Sequence, residues 1–409
     1  MNSRERIIST IEHREPDRVA IDFAGTTVSG ISAIAYNKLK VHFDVSSPTR
    51  VFDVVQQLAM PDPIIQDQFS SDTVDINVLF LQDMHWYPVK LTDGSIAEFP
   101  DWYKPDILED GSYVMKDKEG VIMSKMAASG SNFDQLIFPY EDGYPASFDR
   151  IDTAFEKINW IAHSHSKFVE IESTLLRNRV SALRKSSDKA LVMSGGAKLL
   201  ELGFFLRRMD NFLMDLYIDK KNVNRLLDTL LDAHMKSLEK KLETLGDIVD
   251  VIRFGDDLGM TSGPLLERSV FTEFLKPRYK ELCNFVKEKS KMKIFFHTCG
   301  SVRSLIPDLI ECGFDILNPI QTNSLGMDPL ELKQEFGNEI CFWGGGIDTS
   351  EILPTGNPDE VRRDVLHRCE ILSAGGGFVF APIHNIVAGV PAENIIAAYN
   401  AVKEFNGQL

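Results

Sequence analysis

Apolar positions in the second half of this chain fall into short runs separated by longer amphipathic stretches. Val249 to Phe254, Lys293 to Phe296, Phe314 to Leu317, Ile340 to Trp343 and Gly377 to Phe380 each read as a buried strand, short and rich in β-branched and aromatic side chains. Between and after them, Ser269 to Ser290, Val302 to Cys312, Pro329 to Phe336, Pro358 to Leu372 and Pro391 to Phe405 carry apolar residues at helical spacing. The first half holds three more strand patterns: Val19 to Phe23, Thr73 to Val78 and Ala190 to Ser194. Helical patterns cover Ser3 to His13, Ile31 to Phe43, Ile151 to Glu172, Leu175 to Ser186, Leu199 to Phe212 and Val223 to Leu245. Ser3 is placed to cap the first of these, with Arg6 where a capping box needs an acid. Phe52 to Met60 reads as either a short helix or an extended segment.

One region breaks the rhythm. Trp86 to Lys125 alternates apolar and polar residues around Asp93-Gly94, Asp110-Gly111 and Glu119-Gly120, and acid–Gly pairs of this kind are strong hairpin signals. A β-rich insertion over 84–146 is therefore expected within a single domain spanning 1–409. Its aromatic residues (Trp86, Tyr87, Phe99, Trp102, Tyr103, Tyr113) either hold the insertion together or form a lid.

Strands alternating with helices imply parallel strands joined by right-handed crossovers. The number of such units, and the lack of a Gly-x-Gly-x-x-Gly turn after any strand, favour a closed (β/α)8 TIM barrel over an open dinucleotide-binding sheet. The chain has 409 residues, more than one average domain, but barrels of this class exceed that average as single units.

A formal charge of −16 argues against nucleic acid or an anionic membrane surface as a partner. No apolar run is long enough to span a bilayer. The charged start, Met1 to Arg6, lacks the apolar core of a signal peptide, and five scattered cysteines suit a reducing compartment. A cytoplasmic enzyme is expected, with homodimerisation left open.

Chemistry collects where the strands end. Gly255-Asp256-Asp257, His297-Thr298-Cys299-Gly300, Asn318-Pro319-Ile320-Gln321, Gly344 to Asp348 and Ala381 to Asn385 each follow a strand. In a barrel those ends share one mouth, where active sites sit. His297 and Cys299, two apart at a strand end, point the same way and suit zinc. Two ligands are too few, and His384, after the last strand, is the expected third. Asp256 and Asp257 are the candidate catalytic carboxylates, able also to supply an oxygen ligand or to accept from His297. Phe23, Asn318, Gln321, Trp343 and Asp348 are expected to contact substrate. Cys341 starts its strand, toward the opposite rim, while Cys283, Cys312 and Cys369 lie on helices and read as core residues. His163, His165 and His234 also fall on helices and read as surface or packing residues.

These residues resemble the uroporphyrinogen decarboxylase superfamily along nearly the whole chain. The matching stretches are Arg4 to Arg18, Gly196 to Tyr217, Phe271 to Tyr279, Phe296 to Ser301, Ile316 to Met327, Trp343 to Thr349 and Gly375 to Asn394. The superfamily is a single (β/α)8 barrel. Its tetrapyrrole decarboxylases carry an arginine-rich amino-terminal substrate motif, whereas Ile21 to Thr27 here holds no arginine to pair the substrate carboxylates, which disfavours that activity. The zinc-dependent, corrinoid-linked methyltransferase branch carries His-x-Cys-Gly, as at His297, Cys299 and Gly300, and usually a third cysteine in the last loop. His384 stands where that cysteine is expected. The resemblance implies methyl transfer from a small methoxylated substrate, aromatic in the closest-looking subgroup, to the cobalt of a corrinoid (cobalamin) carried by a partner protein. Two alternatives stay open: methyl transfer from a methylated corrinoid to a thiol or to tetrahydrofolate, and a barrel without metal that only binds a partner.

Overall fold

Eight parallel strands lie side by side in chain order in a computed structural model that describes residues 1–130, 132–166 and 172–409. They are β1 (Ala20–Ile21), β2 (Thr73–Asp75), β3 (Ala190–Gly196), β4 (Val251–Gly255), β5 (Lys293–His297), β6 (Ile316–Asn318), β7 (Cys341–Trp343) and β8 (Phe378–Phe380). β8 pairs back onto β1 in parallel register. The seam between β1 and β2 is bridged by Asp72 N donating to the Ile21 carbonyl at 2.7 Å and Ile21 N donating to Asp72 Oδ2 at 2.9 Å. This is the (β/α)8 barrel that the alternation of patterns predicts.

Alternation along each strand sorts the core into two layers. Ala190, Val192, Val251, Phe295, Ile316, Cys341, Trp343 and Val379 point inward and fill the barrel, and Ile7 and Ile11 of α1 (Ser3–Ile11) pack against them. Ile252, Phe254, Ile294, Phe296, Leu317, Phe342 and Phe380 point outward into the helix layer. Each such fully buried side chain contributes about 1.5–3 kcal/mol. All five cysteines are free, and Cys283, Cys312, Cys341 and Cys369 are buried.

The opening motif closes the barrel. Arg6 and Arg18 both bind Asp72 Oδ1, at 2.6 and 2.8 Å, and Arg6 also binds Asp17 at 2.7 Å. Asp72 is fully buried, and these cations and the Ile21 amide satisfy it beside the seam.

The expected helices appear with corrections at their ends. Asn2, not Ser3, caps α1, and it forms a full capping box with Glu5. The run Leu199 to Phe212 is broken: α2 (Leu200–Arg207) stops at Arg208, whose φ is +68°, before a second helix, Met209–Ile218. Phe52 to Met60 is a hairpin pairing Val51–Asp53 with Leu58–Ala59. The helix read over Ile151 to Glu172 is observed as Ile151–Ser166; its last part, and the side chains of His163 and His165, lie outside those described. α3 (Lys220–Leu245) carries His234.

Hairpins form at Asp93-Gly94, Asp110-Gly111 and Glu119-Gly120. Phe99 stacks on Tyr103 at 5.3 Å, Tyr103 meets Phe133 edge-on, and Tyr87 donates to the Tyr103 carbonyl. These rings pack against one another, as a small sheet requires. Among the described residues no helix is long and apolar enough to cross a membrane.

Candidate metal centre at the barrel mouth

β4 and β5 pair in register, with Gly255 opposite His297, and their pairing continues past the strand ends. Asp256 N donates to the His297 carbonyl at 3.0 Å, Leu258 N to Thr298 Oγ1 at 2.9 Å, and Cys299 N to Asp257 Oδ1 at 3.0 Å. The two loops then cross at Gly259 and Gly300. A Cβ on Gly300, where φ is +85°, would sit 2.4 Å from the Gly259 carbonyl carbon, so only glycine closes this turn.

This zipper brings Asp257, His297 and Cys299 together, with one ligand atom of each within 4.8 Å of the others. Cys299 Sγ lies 3.6 Å from His297 Nε2, and Nε2 lies 3.9 Å from Asp257 Oδ1. Tetrahedral zinc with bonds of about 2.0–2.3 Å places its ligands roughly 3.4–3.6 Å apart, so the donors fit with small adjustment. One oxygen, one nitrogen and one sulfur form a mixed set suited to a borderline ion such as zinc.

The imidazole is aimed from behind. His297 Nδ1 meets Asn318 Oδ1 at 2.6 Å, and Asn318 Nδ2 donates to the Trp343 carbonyl at 2.6 Å. The second bond fixes which way the Asn318 amide faces, so its oxygen must accept the Nδ1 proton. That leaves the Nε2 lone pair free for an ion. Gln321 Oε1 accepts from Gly300 N at 2.7 Å and holds the turn.

Burial lowers His297 to about 4, with Asp257 opposing the shift, so the ring is neutral and ready to ligate at pH 7. Burial alone would raise Asp257, but His297 and the Cys299 amide bring it below the usual carboxylate range. Burial, with Asp257 and Glu201 nearby, pushes the Cys299 thiol well above its ordinary value. A divalent cation would reverse that and bind the thiolate.

Five of the residues singled out in the sequence meet here: Asp257, His297, Cys299, Asn318 and Gln321. The other five do not. Asp256 turns away and accepts from Leu199 N (2.7 Å), Leu200 N (2.6 Å), Glu201 N (2.7 Å) and the Tyr279 hydroxyl (2.6 Å). It is fully buried and anchors the start of α2. Burial and Glu201 push it up to about 7, while the Tyr279 hydroxyl and the Glu201 and Leu200 amides pull it down. Trp343 lies inside the barrel, its Nε1 donating to Asp22 Oδ2 at 2.8 Å. Phe23, one residue after Asp22, points the opposite way and packs edge-on against Phe69 and Tyr399. Asp348 is spent on its own loop, accepting from Ser350 N and Glu351 N.

His384 lies apart from the cluster of Asp257, His297 and Cys299. Asn385 ties the last loop to Gly30 N at 2.6 Å and to Gln56 at 2.9 Å, and the preceding His384 is exposed. His384 is near enough to favour the ionised form of Asp257, but it does not join the 4.8 Å cluster. Asp257 is the third member of that cluster.

Two residues at the mouth escaped sequence reading. Lys198 bonds Glu201 at 2.8 Å and its charge acts on Asp257. Arg253 sits on β4 with its charge acting on His297. The available signal was the charge in the otherwise apolar Val251-Ile252-Arg253-Phe254.

The uroporphyrinogen decarboxylase (URO-D) family model matches residues 198–405, just over half of the chain, and the chain belongs to that family. The methylcobamide:CoM methyltransferase MtaA of Methanosarcina barkeri is 28% identical over 156 residues, which are 38% of this chain and 42% of that protein. The match thus spans less than half of the relative's length. A solved methyltransferase from Methanosarcina mazei superposes over 99% of both chains with a TM-score of 0.60 at 16% identity, which shows a shared fold.

Proposed function

We propose that this member of the uroporphyrinogen decarboxylase family is a zinc-dependent methyltransferase that moves a methyl group from a methoxylated, aromatic substrate to the cobalt of a corrinoid carried by a partner protein. The observation that carries the reading is the convergence of Asp257, His297 and Cys299 at the mouth of this family's barrel. The MtaA match supports it in the aligned region.

Zinc held by those three residues would supply Lewis acidity toward the substrate oxygen. The chain's own residues do the rest. Asn318 keeps the His297 proton on Nδ1, and Gln321 holds the Gly300 turn beneath Cys299. The methyl–oxygen bond would break with its electron pair left on oxygen, and the methyl group would pass to the electron pair supplied by a reduced, cobalt(I) corrinoid on the partner protein. Lys198, a cation whose charge acts on Asp257, carries a proton for the departing oxygen. Asp256 holds α2, and with it Glu201, in place.

The test is methylation of a reduced corrinoid protein by a panel of methoxylated aromatics, followed spectroscopically, together with zinc content. The expected result is methylation that His297→Ala and Cys299→Ser abolish along with zinc binding. Full zinc and full methylation in His297→Ala would sink the proposal. A second reading, favoured by the name of the curated relative, reverses the flow to a thiol acceptor. Turnover with methylcobalamin plus a thiol, and none with methoxylated aromatics, would select it.

A further inference from the structure

Arg253 projects from β4 into the barrel one pleat below the metal donors, since it pairs with Phe295 while Gly255 pairs with His297. Its side chain climbs toward the mouth. A Cβ built on Gly255 would lie 3.9 Å from Arg253 Nη1 and 3.3 Å from the His297 Cβ, so the guanidinium stands within about one aromatic ring of His297. The absence of a side chain at Gly255 keeps that gap open.

The residue is only 9% exposed, yet among the described residues its guanidinium makes no hydrogen bond and no ion pair within 4.0 Å. Its five N–H donors have no protein acceptor, yet its nitrogens are not sealed from solvent, so a ligand entering the mouth can reach them. The three acids whose charges act on it do not accept from it, and Glu201 accepts from Lys198 Nζ. Asp53 accepts from Val55 N, Gln56 N and Gln56 Nε2, and Asp75 accepts from Asn77 N and Asn77 Nδ2. Asp53, Asp75 and Glu201 act on Arg253 only through their charge. The fork is thus presented, unused, on the floor of the mouth.

We propose that Arg253 is the anchor for a substrate carboxylate, so that the methylated compound is a methoxylated aromatic acid and not a neutral methoxyarene. A planar carboxylate matches the guanidinium fork with two parallel bonds. It also carries a single negative charge, which suits a cation already shared by Asp53 and Asp75 better than a dianion would. The anchor fixes the far end of the ring, and the methoxy end then reaches the donors at His297. This placement of the methoxy end rests on the methyl-transfer reading, whereas the anchor itself does not.

The experiment is calorimetric titration of the zinc-loaded full chain with 3- and 4-methoxybenzoate and with their methyl esters. At least one acid should bind roughly 10- to 100-fold tighter than its ester, the scale of a lost charge-assisted hydrogen-bond pair. Arg253→Gln should erase that preference, and Arg253→Lys, which keeps the charge but not the fork, should retain only part of it. Zinc content and melting temperature report whether each variant is folded. If Arg253→Gln fails to fold, the acid-to-ester ratio of the wild type and its reduction in Arg253→Lys decide. Equal binding of acid and ester, no binding of either acid, or undiminished acid binding by a folded Arg253→Gln overturns the proposal. The outcomes separate the two readings. Arg253-dependent acid binding with no corrinoid methylation sinks methyl transfer and leaves the anchor, whereas equal methylation by neutral methoxyarenes sinks the anchor and leaves methyl transfer.

Discussion

Replacing Asn318 tests whether the His297 ring is aimed for a metal or merely packed. Asn318 is 1% exposed and has two side-chain tasks, accepting from His297 Nδ1 at 2.6 Å and donating to the Trp343 carbonyl at 2.6 Å. Asn318→Leu removes both with little change of volume. The Nδ1 proton then loses its acceptor, and the tautomer with the proton on Nε2, which cannot ligate, is no longer disfavoured. Loss of such an outer-shell partner weakens metal binding about 10- to 100-fold, or roughly 1.4–2.7 kcal/mol. The Trp343 carbonyl, left without its donor in a buried place, lowers folding stability by about 1–3 kcal/mol. Asn318→Asp separates the tasks. It keeps an acceptor for Nδ1 and loses the donor to Trp343, so stability should fall while zinc affinity holds. Zinc affinity from competition with a chromophoric chelator, beside denaturant melts, reads the two quantities independently. Zinc binding by Asn318→Leu within about twofold of wild type, or a loss in Asn318→Asp as large as in Asn318→Leu, would refute the aiming argument.

Three further outcomes are expected. Asp257→Ala should lower zinc affinity at least 100-fold, roughly the 2.7 kcal/mol that a first-rank ligand supplies, while His384→Ala should change it little; equal effects in the chelator assay would restore His384 as the third ligand. Asp256→Ala leaves three backbone N–H groups and the Tyr279 hydroxyl without their acceptor, and should lower stability by about 3 kcal/mol or more; a denaturant midpoint close to wild type would show that α2 does not depend on it. Asp75 is pushed by burial from its ordinary 3.8 to about 6. A folded-state pKa above the unfolded one means that the folded chain holds the proton more tightly. The contribution of Asp75 to stability is therefore fully present below about pH 4 and is lost as pH rises through 6, by up to about 3 kcal/mol. Asp75→Asn should flatten that part of the pH–stability curve, and an unchanged slope between pH 4 and 6 would contradict the assignment.

The barrel was legible because its strands are short apolar runs and its helices are long amphipathic ones, so period and length agree at nearly every element. Where the two signals were ambiguous, the reading slipped. Leu199 to Phe212 keeps its helical spacing straight through Arg208, and no periodicity reports a single residue at φ +68°. The cap of α1 moved by one position because Asn2 and Glu5 satisfy the capping box as Ser3 and Arg6 cannot. Phe23 and Trp343 were placed at the mouth by proximity in sequence to polar loops. Their direction depends on which way the pleat faces, and on β1, a strand of two residues, alternation has no length over which to show itself.

The same limit explains the metal ligands. His297 and Cys299 could be paired from sequence because two residues apart on an extended segment fixes their relative direction. Asp256 and Asp257 are adjacent, so one must face α2 and the other the mouth, and nothing in the sequence says which. The answer comes from the neighbouring strand. With Gly255 opposite His297, the Asp256 amide is drawn to the His297 carbonyl and the Cys299 amide to the Asp257 carboxylate. Pairing across β4 and β5 thus brings Asp257, and not Asp256, beside His297 and Cys299. The last loop meanwhile spends its inward position on Asn385, which ties it to Gly30 and Gln56. A centre built from two adjacent βα junctions, and not from junctions across the barrel, leaves the opposite side of the mouth open. Arg253 stands on β4 beneath this same cluster, with the charges of Asp53 and Asp75 acting on it, so the donors and the guanidinium lie one pleat apart on a single wall of the barrel.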